Sequence, residues 1–61
     1  MEPPTAREVI ARLEREGWAF VGCTGDHRKF RKDGRLVVVP GQLGEHLKKG
    51  TWSSVRQQAG W

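Results

Sequence analysis

His27-Arg28-Lys29-Phe30-Arg31-Lys32-Asp33-Gly34-Arg35-Leu36-Val37-Val38-Val39 is the stretch on which the fold turns. Asp-Gly between two alternating runs is a strong short-range signal for a two-residue β-hairpin. A turn at Asp33-Gly34 sets Lys32 opposite Arg35, Arg31 opposite Leu36, Phe30 opposite Val37, Lys29 opposite Val38 and Arg28 opposite Val39. Opposed residues share a sheet face. Phe30 and Val37 therefore point together, and as the bulkiest apolar pair they mark the face that receives the rest of the chain. The other face carries His27, Lys29 and Arg31 in a row, flanked by Leu36 and Val38. A slip of one residue would exchange the two faces.

Upstream, Pro3-Pro4 precede Thr5, and Glu8 follows three residues later, a capping-box pattern at the start of a helix. Ala6, Val9, Ile10 and Leu13 recur at helical spacing and form one apolar stripe, which Gly17 terminates. From Trp18 the composition changes to strand formers. Trp18 to Val21 start a strand, and Gly22 to Asp26 contain the turn leading to His27. Downstream, Pro40 stops the third strand and residues 41–50 form a loop. Thr51 is placed to cap a final helix from Trp52 to Ala59. The expected architecture is α+β: an α-β-β-β-α domain spanning residues 1–61, with a three-stranded antiparallel sheet and two helices on one face.

The hairpin also holds the charge. Residues 27–35 carry Arg28, Lys29, Arg31, Lys32 and Arg35 against Asp33 alone, so they account for the whole formal net charge of +4. The rest of the chain is balanced. Clustering of bases on one element is the footprint of a phosphate-binding surface, whereas a merely solvated face intersperses its signs. A chain this short buries only about 60% of its unfolded surface, which leaves little room for a deep substrate cavity. A single cysteine, Cys23, excludes an internal disulfide and reads as a small buried hydrophobe in an apolar strand. No apolar run approaches the roughly 20 residues of a membrane span. Met1-Glu2-Pro3-Pro4 lacks the features of a secretory signal, so the cytoplasm is the expected compartment.

Three histidine and cysteine side chains, Cys23, His27 and His46, lack the paired spacing of zinc ligands, and no metal or cofactor is expected. Gly41-Gln42-Leu43-Gly44 follows a strand and a proline, unlike the GXXG loop that joins two helices in KH domains. Lys48 and Lys49 precede the expected cap at Thr51, and phosphate binds readily at a helix N-terminus; they also suit a solvated loop. Trp18 and Trp52 read as core. For His27 the residues leave two readings open: a strand-start side chain bonded to a turn carbonyl, or a proton-transfer group in a basic stripe. RNA is cut without metal when its 2′-OH is deprotonated and attacks the adjacent phosphate. Imidazole suits that task near neutral pH, and neighbouring cations stabilise the developing charge.

Glu16-Gly17-Trp18, Gly25-Asp26-His27, Val38-Val39-Pro40, Leu47-Lys48-Lys49-Gly50-Thr51 and Gln58-Ala59-Gly60, in this order, resemble the HicA toxins of bacterial and archaeal toxin–antitoxin pairs. The likeness runs from about Val9 to Gly60. It implies a fold like a double-stranded-RNA-binding domain, ribosome-independent cleavage of messenger RNA, and neutralisation by a HicB-type antitoxin. The essential histidine of that family lies in a Gly-Ser-His motif, which matches His27, and Asp26 stands where serine is usual. The resulting assignment is His27 as catalytic residue, with Lys29, Arg31, Arg28, Lys48 and Lys49 as RNA contacts. A non-catalytic RNA-binding module, and a protein-interaction module using Leu36 and Val38, are the other two readings.

Overall fold

The computed structural model describes residues 2–61; Met1, which opens the stretch read above for a signal, lies outside them. Its elements run α1 (Ala6–Arg15), β1 (Ala19–Thr24), β2 (His27–Lys32), β3 (Arg35–Val39) and α2 (Lys49–Ala59). The sheet is antiparallel in the order β1-β2-β3. The β2–β3 register is the one expected, from Lys32 opposite Arg35 to Arg28 opposite Val39. Asp33 (φ 50°) and Gly34 (φ 77°) both take positive φ, as a turn matching the right-handed twist of a hairpin requires.

Phe30, Val37 and Val39 fill the covered face, and Val9, Leu13, Trp18, Leu47 and Val55 close over them. Both helices pack on the β3 side of the sheet. The β1 edge is left uncovered, so Phe20 remains 57% exposed although its ring meets Phe30 edge-on at 5.6 Å. The same absence of cover corrects the reading of Cys23. Paired with Arg28, it lies on β1 beyond the helices and is exposed.

Two boundaries also differ from those expected. Gly22 lies inside β1, not in a turn: the register shifts between Phe20 and Gly22, so Val21 is the extra residue of a bulge. That shift sets Thr24 opposite His27 and leaves only Gly25-Asp26 between the strands. At the other end, α2 starts at Lys49. Lys48 occupies the N-cap position without a side-chain bond, and Thr51 lies within the first turn instead of capping it.

The start of α1 is fully satisfied. The capping box forms, with Glu8 N–H donating to Thr5 Oγ1 and Thr5 N–H donating to Glu8 Oε1. Ala6 and Arg7 donate to the carbonyls of Glu45 and Leu43, and Val9 donates to Thr5. Four N–H groups that a helix leaves without intrahelical partners are thus paired, two of them by the 40s loop.

Candidate functional site

His27 opens β2, opposite Thr24 across the Gly25-Asp26 turn. Gly25 takes the positive φ (59°) that so tight a reversal needs. Neighbours within a strand point to opposite faces, but Asp26 belongs to the turn and escapes that alternation. Its Oδ1 lies 2.8 Å from His27 Nδ1. Both side chains are about half exposed, 55% for His27 and 56% for Asp26. Nε2, on the far side of the ring, has no hydrogen-bond partner among the described residues.

The five bases of the hairpin divide by face. On the helix side, Arg28 Nη1 donates to Gly41 O at 3.3 Å and Lys32 Nζ to Glu16 O at 2.6 Å. Arg35, at the turn, donates to Gln57 O at 3.5 Å. The side chains of Lys29 and Arg31 make no hydrogen bond or ion pair among the described residues. Lys29 is half-buried and Arg31 exposed. The two cations left without an internal partner are therefore the two that alternate with His27 on the open face.

Two further lysines lie near the Asp26 end of the hairpin. A cavity of about 310 Å³ has Asp26 on one wall and Lys48 and Thr51, at the start of α2, on another. Lys48 caps that helix and Lys49 is its first residue, both exposed, and no acid lies in the first turn. The first bond of α2 runs from Trp52 N–H to Lys48 O at 2.8 Å. The turn and the helix start thus share one concave surface, which Glu45 and His46 also line.

A family model for the HicA toxin of bacterial toxin–antitoxin systems matches residues 6–61. The chain belongs to the HicA toxin family. It is the toxin of a toxin–antitoxin pair, and membership implies an antitoxin partner. No curated protein matches the chain.

The HicA match takes in His27, Asp26, Lys48 and Lys49. Arg28, counted among the RNA contacts from sequence, is half-buried on the helix side with its guanidinium on the Gly41 carbonyl. The remaining histidine of this HicA chain is tied to the start of the chain: His46 Nδ1 lies 2.6 Å from Pro3 O, and Nε2 lies 3.2 Å from Glu2 Oε2. Among the described residues, Cys23, His27 and His46 do not converge, and no group of three His, Cys, Asp or Glu side chains forms a metal-binding cluster.

Sequence reasoning also missed two long-range contacts. One is the seating of the 40s loop on α1, which draws Leu47 into the core through Leu47 N–H to Pro4 O at 2.9 Å. The other is Trp61, whose ring packs against Trp52 and under Arg12. Neither carried a local periodicity that could have announced it.

Proposed function

We infer that this HicA toxin is a metal-independent endoribonuclease acting on messenger RNA in the cytoplasm. His27 exchanges the proton at the cleaved linkage, and Lys29, Arg31, Lys48 and Lys49 bind phosphates. The observation that carries the reading is the coincidence on one open face of His27 Nε2 with Lys29 and Arg31, whose side chains, like that nitrogen, have no partner among the described residues. In the proposed reaction the 2′-oxygen forms a bond to the adjacent phosphorus as the bond to the 5′-oxygen breaks. A 2′,3′-cyclic phosphate and a 5′-hydroxyl result. Cations beside the phosphate stabilise its added negative charge, and a neutral imidazole accepts the 2′-OH proton. An open face of this kind accepts an extended polyanion, and a HicB-type antitoxin that covered it would silence the toxin.

His27→Ala tests the assignment. The variant is expected to stay folded, because the side chain is exposed, and to lose RNA cleavage and growth inhibition. General acid–base catalysis contributes about 10²–10⁴-fold, so the loss is expected to fall in that range or beyond. The unmodified chain is expected to cleave in EDTA and to leave cyclic phosphate ends, and 2′-deoxy substitution at the cut site is expected to block it. Full activity in His27→Ala, or cleavage of DNA, overturns the mechanism. RNA binding without cleavage by the unmodified chain favours a binding module instead.

A further inference from the structure

We propose that Asp26 is a positioning residue for His27: it holds the imidazole with the proton on Nδ1, so that Nε2 presents its lone pair to the 2′-OH of RNA. The proposal rests on the reading of His27 as the proton-transfer group and assigns it a partner.

The argument begins with the turn. Asp26 is the last residue of the turn that joins Thr24 to His27, so its side chain is free of strand alternation. Its carboxylate meets Nδ1 at 2.8 Å. An ionised carboxylate only accepts hydrogen bonds, so this contact requires the hydrogen on Nδ1. In the neutral ring the other nitrogen then carries the lone pair, and no described residue occupies it. Free neutral imidazole favours the opposite tautomer, with hydrogen on Nε2, so a fixed partner on Nδ1 changes which nitrogen is basic. Cys23 Sγ, 3.0 Å from Gly25 O, also braces the turn.

In the step itself, Nε2 takes the proton from the 2′-OH as the 2′-O–P bond forms. The imidazolium that results faces the Asp26 carboxylate. The 5′-oxygen leaves with the electron pair of its bond to phosphorus and takes a proton from water, and the ring returns its extra proton to solvent. Asp26 touches neither substrate nor reacting atoms. It acts through His27, as a third group orienting a catalytic base does.

Two measurements on the full chain decide the matter. Nitrogen-15 NMR of the free protein at alkaline pH reads the tautomer without RNA. The unmodified chain is expected to show Nδ1–H, and Asp26→Ala the Nε2–H form of free imidazole. Single-turnover cleavage of a defined RNA is expected to slow by about 10–100-fold in Asp26→Ala and Asp26→Asn, a fraction of the whole acid–base contribution. Asp26→Glu is expected to recover part of the rate, and RNA affinity is expected not to fall in any of them. The spectra also report whether each variant is folded. An Nε2–H tautomer in the unmodified chain, or undiminished cleavage in Asp26→Ala while His27→Ala is inactive, overturns the role of Asp26 alone. Full cleavage by His27→Ala overturns the catalytic reading, and this proposal with it.

Discussion

Trp61 donates its indole N–H to Glu16 Oε1 at 2.8 Å, joining the residue after the C-cap of α2 to the C-cap of α1. Arg12 completes the junction: its Nε reaches Glu16 Oε2 at 3.0 Å, and its guanidinium lies 3.9 Å from the centre of the Trp61 ring. The indole bond, then the bond from Arg12, hold the Glu16 carboxyl below the ordinary value of 4.5.

Trp61→Ala is therefore expected to loosen the contact between the two helices. The lost stacking and apolar contact amount to about 1–2 kcal/mol. In a domain of this size, roughly 4–8 °C of Tm accompanies each kcal/mol. Glu16 adds a pH dependence. Its folded value is depressed, so its contribution is fully present above the ordinary carboxylate value and is lost as pH falls through the lower folded value. Glu8 behaves alike, its carboxyl lowered first by the Thr5 backbone N–H and then by the Thr5 hydroxyl. Thermal melts from pH 6 downward should show stability falling below the ordinary value, and Glu8→Gln with Glu16→Gln should flatten that fall. Parallel curves for the double variant and the unmodified chain would contradict the assignment.

Opposite faces of one hairpin should respond oppositely to truncation. Phe30 is 1% exposed against Val37, whereas Leu36 on the other face is 40% exposed. Phe30→Ala removes a buried aromatic, at a cost of about 3–5 kcal/mol, enough to leave so small a domain largely unfolded. Leu36→Ser is expected to cost no more than about 0.5 kcal/mol. Circular dichroism melts of the two variants provide the check, and comparable losses would mean that the faces are assigned wrongly.

Charge removal distinguishes the two faces in RNA binding. Lys29→Ala and Arg31→Ala are expected to weaken binding to any RNA sequence. Each should lower the slope of log affinity against log salt by roughly 0.7–0.9, the counterion release of one phosphate contact. Lys48→Ala and Lys49→Ala are expected to act in the same way at the start of α2. Arg28→Ala and Lys32→Ala should change the slope little, since their cationic groups bind the carbonyls of Gly41 and Glu16. Equal slopes lost at Arg28, Lys29, Arg31 and Lys32 would place phosphate on both faces.

The sequence by itself determined whatever depends on spacing. Thr5 and Glu8 specified the start of α1, Asp33-Gly34 the β2–β3 register, and the register the open face with His27, Lys29 and Arg31, because periodicity and turn chemistry act between residues close in the chain. The family motifs were also legible in order. Tertiary structure decided what depends on residues far apart or on a change of parity. The bulge at Val21, marked in the sequence only by the adjacent Gly22, sets Thr24 opposite His27 and shortens the turn to Gly25-Asp26. The exposure of Cys23 depends on where two helices come to rest, over β3 and not β1. Lys48 became the cap of α2 because Leu47 is drawn into the core beside Pro4, and Trp61 found Glu16 across 45 positions of chain. Local rules fix how each segment is shaped; only packing fixes which shaped segments meet.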